Sequence, residues 1–152
     1  MSKKTHTRIM NEVHDIIKND IPGISCGVKD DDIFEWQGTI IGQPDTYYEN
    51  GLFEISISLP EHYPFKPPVM RFITQVFHPN IALKTGEICL DILKDNWAPS
   101  MTISKVLVSI LSLLEEPNPD SPLNVDAAIV FRKGPTEYKN AVQTHIHQTQ
   151  QG

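Results

Sequence analysis

From Phe53 to Leu59 apolar and polar residues alternate without a break, Phe53, Ile55, Ile57 and Leu59 against Glu54, Ser56 and Ser58. A period of two is what a strand with one buried and one wet face requires. Phe34, Trp36 and Ile40 alternate similarly with Glu35, Gln37 and Thr39. Residues 69–75 are rich in β-formers and begin just after Pro67-Pro68, a pair that suits the entry to a strand rather than its middle. Three consecutive strands separated by turn-rich loops predict an antiparallel meander. The loop 42–51 is polar and Tyr-rich, and the loop 60–68 holds four prolines and reads as stiff.

The pattern changes on either side of the strands. Ile9, Val13, Ile16 and Ile17 recur at helical spacing ahead of Pro22-Gly23, which predicts an amphipathic helix over residues 5–19 with one buried face. Ile103, Val106, Leu107, Ile110, Leu111 and Leu114 mark a strongly apolar central helix, starting near Thr102 and stopping before Pro117. Shorter helical patterns follow around Val125–Phe131 and Thr136–His147, with Pro135 suited to the first position of the last helix. Helix, strands, an irregular segment and then helices indicate an α+β fold. At 152 residues the chain reads as one domain, 1–152; its twelve prolines are scattered turn and boundary markers, with no linker or repeat.

Two cysteines, Cys26 and Cys89, are too few for a disulfide framework, and the chain contains no apolar stretch long enough for a signal peptide or membrane span. The expected setting is a reducing, cytoplasmic compartment without direct membrane insertion. A net charge of −6 with no Lys/Arg block argues against nucleic acid, whose phosphates are bound by clustered cations. A protein is the expected partner.

The chemistry concentrates in the irregular segment. In His78-Pro79-Asn80 the proline fixes its own φ and biases its predecessor toward extended backbone, so these side chains are aimed. Thr85-Gly86 is a turn signal that would double the chain back and bring Cys89 alongside Asn80. Cys89 has two readings at this level: a small buried hydrophobe, the commonest fate of a free cysteine, or an accessible nucleophile. An ordinary thiol is only a few per cent thiolate at pH 7, yet that fraction exchanges acyl groups between sulfurs without a dedicated base. Amine attack on a thioester passes through a tetrahedral oxyanion, and a fixed amide N–H aimed at it is worth ~10²–10³ in rate. Asn80 either supplies such a donor or ties loops to backbone.

His78 is the tempting base for a cysteine hydrolase, but no third group has an obvious claim to orient its imidazole; a hydrogen-bonded structural histidine is the better reading. His145 and His147 are two apart on a helix and share no face, so no metal site is expected. Cys26 lacks charged support and reads as inert. Phe65 and Trp97 fall in predicted loops, where exposed aromatics would make a partner surface.

The chain resembles the ubiquitin-conjugating enzymes over essentially its whole length. The resemblance rests on Tyr63-Pro64-Phe65-Lys66-Pro67-Pro68, His78-Pro79-Asn80-Ile81, Gly86-Glu87-Ile88-Cys89-Leu90-Asp91-Ile92-Leu93, Trp97, Thr102-Ile103-Ser104-Lys105-Val106-Leu107 and Glu116-Pro117-Asn118-Pro119-Asp120, in that order. It implies an amino-terminal helix, a four-stranded antiparallel sheet, a central helix and two carboxy-terminal helices. It also implies that Cys89 accepts ubiquitin's carboxy-terminal glycyl group from an activating enzyme as a thioester and passes it to a substrate lysine, usually with a ligase. ATP is used by the activating enzyme, so no cofactor is expected here. Another ubiquitin-like modifier, or a ubiquitin-binding module with little lysine transfer, are the alternatives.

By position, Asn80 matches the family's asparagine, assigned either to the oxyanion or to ordering the active-site loop. His78, Asp91, Asp120 and Ser121 would support the site. Arg8, Phe65, Pro99 and Ser100 match the surface that meets ligases and the activating enzyme; Ile92, Met101, Lys105 and Val108 match the donor-ubiquitin face; Ser25 matches a rear-surface ubiquitin contact of some members. Ser121 stands where many members carry an acidic residue thought to orient or deprotonate the incoming lysine, although Asp120 or Asp91 could substitute. The stretch from Asn80 to Cys89 is one residue longer than in the commonest members. Ile81, Thr85 to Leu90, Pro119 to Leu123 and Val125-Asp126 resemble the peroxisomal branch, while the middle of the chain resembles the generalist one as much. A membrane-anchored adaptor, the nucleus and the cytosolic face of peroxisomes enter as expectations on that basis.

Overall fold

Ser2 sets the start of the first helix: its side chain accepts a hydrogen bond from the Thr5 N–H at 3.0 Å, so α1 runs Lys3–Lys18, two residues earlier than its apolar period alone indicates. In this computed structural model, which describes residues 2–150, α1 is followed by the strands β1 Ile24–Lys29, β2 Asp32–Ile41, β3 Leu52–Ser58 and β4 Val69–Phe72. A 3-10 turn spans Asp91–Leu93, and the helices α2 Ile103–Glu115, α3 Val125–Lys133 and α4 Pro135–Gln150 complete the chain. Pro135 opens α4, where its missing N–H costs nothing.

The sheet is an antiparallel meander in the order β1-β2-β3-β4. Its edge strand β1 is the element that reading residues alone did not bring out. Asp30 and Asp31, both with positive φ (54° and 59°), make the tight turn into β2. The predicted strand 69–75 is shorter, because after Phe72 the N–H groups of Ile73 and Thr74 turn to the Glu54 carbonyl.

The inward residues of β2 and β3, Trp36, Ile40, Phe53, Ile55 and Ile57, share one buried core with Ile103, Val106, Leu107, Ile110 and Leu114 of α2 and with Ile9 and Ile16 of α1. Fully burying each Ile or Leu contributes roughly 1.5–3 kcal/mol. Two members of that core, Ile81 and Ile88, are the chain neighbours of Asn80 and Cys89, so the irregular loop is anchored from beneath.

Candidate active site

Ile81 and Ile88 form an isolated antiparallel bridge, and the Ala82 N–H donates to the Glu87 carbonyl at 2.8 Å. Between them the chain reverses at Gly86, whose N–H donates to the Ala82 carbonyl and whose φ is +76°. Only glycine fits there: a Cβ would lie 1.9 Å from the Phe72 carbonyl oxygen. The Gly86 carbonyl in turn accepts from the Phe72 N–H at 2.9 Å, which straps the reversal to β4.

One step further along this ladder the Cys89 N–H donates to the Asn80 carbonyl at 2.8 Å. The doubling back expected from Thr85-Gly86 therefore does bring the two residues together, and Cys89 is solvent-exposed rather than one more core residue. Cys26 is its opposite: half-buried on β1, with burial pushing its thiol up to about 11.

Asn80 is only 3% exposed, and its carboxamide is used at both ends. Nδ2 donates to the Asn118 carbonyl at 2.7 Å, and the Asn118 N–H donates to Oδ1 at 2.8 Å. Asn118, which sequence reasoning had quoted without a role, is thus the residue that fixes Asn80. The same loop is held a second time, by the Leu123 and Asn124 N–H groups on the Pro79 carbonyl, before Asn124 caps α3 through the Ala127 N–H.

His78 lies beneath, fully buried. The Asn80 N–H is an obligatory donor, so it fixes Nδ1 as acceptor (2.9 Å) and leaves Nε2–H to donate to the Leu113 carbonyl at 2.7 Å. Both ring nitrogens are occupied by backbone, which leaves neither available to a thiol. Burial lowers the His78 pKa from 6.5 to about 4, against the Leu113 carbonyl, which favours the charged form. The unfolded chain therefore binds more protons between those two values, and the stability this residue contributes is complete above pH 6.5 and lost as pH falls toward 4. By pH 5 the loss is about 2 kcal/mol. Urea titrations at pH 7.5 and 5.0 should show it, and in His78→Asn the pH-dependent difference should shrink by that amount whatever the variant's absolute stability; an unchanged difference would remove His78 from the account.

The acidic candidates lie at the surface. Asp91 accepts from the Asn96 side chain at 2.9 Å, Asp120 pairs with Arg132 at 2.9 Å, and both carboxylates are exposed. Ser121 sits on an exposed turn with φ +54°.

A second face is built by α1 and two loops. Phe65 is 76% exposed on the 60–68 loop, and Pro99 and Ser100 are exposed on a second loop, 94–102, ahead of α2. Trp97 departs from the expected exposed aromatic: it is half-buried, its indole N–H donates to the Pro64 carbonyl at 2.7 Å, and its ring packs against Tyr63. Arg8 is less a free cation than a clamp, because its guanidinium donates to the carbonyls of Pro99 and Met101 and to Glu12. On α2, Lys105 and Val108 are exposed one turn apart, with Met101 and Ile92 half-buried nearby in the chain. Ser25 is exposed on the edge strand β1. Among the described residues no three His, Cys, Asp or Glu side chains gather as a metal site would require, and no helix is long and apolar enough to cross a membrane.

A family model described as ubiquitin-conjugating enzyme matches residues 8–146. The chain belongs to the ubiquitin-conjugating enzyme family. Among solved structures, the E2 domain of a Toxoplasma gondii ubiquitin conjugating enzyme is similar at 36% identity, with a TM-score of 0.84, covering 94% of this chain and 97% of that one. Four helices and a four-stranded antiparallel sheet are the E2 fold. Family membership implies a transferase that works with ubiquitin, an activating enzyme and ligases.

Proposed function

We propose that this E2 carries ubiquitin on Cys89 as a thioester. The observation that carries the reading is an exposed thiol tied through its own N–H to the backbone of Asn80, in a loop strapped to β4 and anchored by Ile81 and Ile88. Such a sulfur is accessible yet positioned. In loading, the Cys89 thiolate attacks the carbonyl of ubiquitin's terminal glycine; the new C–S bond replaces the bond to the activating enzyme's sulfur, which leaves and takes up a proton. In discharge a neutral substrate lysine amine attacks the same carbonyl, its nitrogen gives up a proton to solvent, the oxyanion collapses to the amide, and Cys89 departs as thiolate. No step needs a metal or a cofactor from this chain, since the acyl group arrives already activated.

His78 belongs to the architecture beneath the site, because its nitrogens are committed. Ser121 in place of the common acidic residue, together with an Asp120 already engaged by Arg132, favours transfer that depends on a ligase. Arg8, Phe65, Pro99 and Ser100 form the face offered to the activating enzyme and ligases, and Ile92, Met101, Lys105 and Val108 the face offered to donor ubiquitin. Substrates are protein lysines.

The test is a loading assay with matched activating enzymes and ATP, run in parallel with ubiquitin and other ubiquitin-like modifiers. Ubiquitin should yield an adduct that disappears on adding excess reductant. An adduct with another modifier alone would move the chain to that modifier's pathway, and none with any would leave it a binding module.

A further inference from the structure

A carboxylate stands where the apolar face of α1 should continue. Glu12 lies three residues from Ile9 and four from Ile16, both buried, and is itself only 6% exposed. Solvent therefore does little to screen or satisfy its charge, and a buried carboxylate must be fully paired within the protein. It is. Oε2 accepts from Arg8 Nε at 2.9 Å and from the Tyr63 hydroxyl; Oε1 accepts from the Ile103 N–H at 2.7 Å. Ile103 opens α2, so the charge also sits at that helix's positive end.

These donors come from three separate parts of the chain, and two of them hold partner-face loops. Arg8, oriented by Glu12, uses its remaining arms on the Pro99 and Met101 carbonyls, and its guanidinium lies 5.6 Å from the centre of the Tyr63 ring. Tyr63 is fully buried and begins the segment that presents Phe65, while Trp97 ties that segment to the second loop through the Pro64 carbonyl. One hidden carboxylate therefore sets the height of α1, of the Phe65 loop, of the Pro99-Ser100 loop and of the first turn of α2.

We propose that Glu12 is a positioning residue for partner recognition: it preorganises the Phe65 and Pro99-Ser100 loops as one surface without touching the partner. The proposal rests on the reading of that surface as the face that meets the activating enzyme. Preorganisation acts on binding, because loops held in the bound geometry lose less freedom on association. It does not act on the sulfur, since Cys89 is held by its own bond to Asn80, in a loop that Gly86 ties to β4, and neither bond involves Glu12.

Glu12→Gln keeps the volume but turns one acceptor into a donor, so either Ile103 N–H or the Arg8 and Tyr63 donors lose their partner. Tyr63→Phe removes a single hydroxyl and leaves the carboxylate. Both are assayed for thioester loading by activating enzyme and ubiquitin, with the variant's concentration varied. The KM for the chain should rise roughly 10-fold in Glu12→Gln and less in Tyr63→Phe, with kcat within about twofold of wild type. Alkylation of Cys89 by iodoacetamide should keep its wild-type rate, a readout that a general loosening of the fold would move. An unchanged KM in both variants, or kcat and alkylation shifting along with KM, overturns the proposal. Phe65→Ala separates the two levels: if it impairs loading while Glu12→Gln does not, only the role of Glu12 fails; if it loads normally, the reading of the face fails and takes the proposal with it.

Discussion

Cys89→Ala should form no ubiquitin adduct at all, and Cys89→Ser should form one that survives excess reductant. The contrast follows from the chemistry of the atom replaced. Serine keeps a nucleophilic oxygen in place and converts the thioester to an oxyester, slowly formed but inert to thiols, whereas alanine leaves nothing to acylate. Cys26 provides the internal control. It is half-buried, and its thiol, raised to about 11, is thiolate at only about 10⁻⁴ of molecules at pH 7, so Cys26→Ser should load as wild type does. Mass spectrometry and a reducing gel decide the matter together. A reductant-sensitive adduct persisting in Cys89→Ala would move the nucleophile to Cys26 and remove the basis of the proposed mechanism.

Much of the architecture was legible because it depends on period. The alternation from Phe53 to Leu59 became β3, the apolar run from Ile103 became α2 behind its Thr102 cap, and Thr85-Gly86 became the reversal that aligns Cys89 with Asn80. β1 shows why period has a floor. Ile24, Cys26 and Val28 do alternate with Ser25, Gly27 and Lys29, but the run is short, diluted by a glycine, and closed by Asp30-Asp31, a much weaker hairpin signal than Asn-Gly or Asp-Gly. Glu12 was missed although the sequence carries its signal, a charge at an apolar-stripe position of an otherwise regular amphipathic helix. Asn118 was not readable. It holds Asn80 with its backbone N–H and carbonyl across 38 residues of sequence, and backbone groups leave no trace in side-chain identity. The half-burial of Trp97 was hidden for the same reason, since its indole answers to a carbonyl, that of Pro64.

Asn80→Ala should still load from the activating enzyme but discharge to free lysine as much as ~10²-fold more slowly. Two causes can give that magnitude, and the hydrogen bonds around Asn80 say how to separate them. As a donor to the oxyanion, Asn80 would have to use the second hydrogen of Nδ2, the first being committed to the Asn118 carbonyl. As a tie, it holds the Asn118 N–H and carbonyl together, and its loss strands both on the rim that an incoming lysine must pass. We expect the tie to dominate, because an approach displaced by about 1 Å is enough for a 10²-fold loss. Loading should be less sensitive, since a large polarisable sulfur tolerates misplacement better than an amine. Amide hydrogen exchange provides the decision: protection at Asn118 should fall in Asn80→Ala, while Leu123 and Asn124, held independently by the Pro79 carbonyl, should change less. Slow discharge with full protection at Asn118 would assign the effect to the lost donor instead, and discharge at the wild-type rate would leave Asn80 without a part in the transfer.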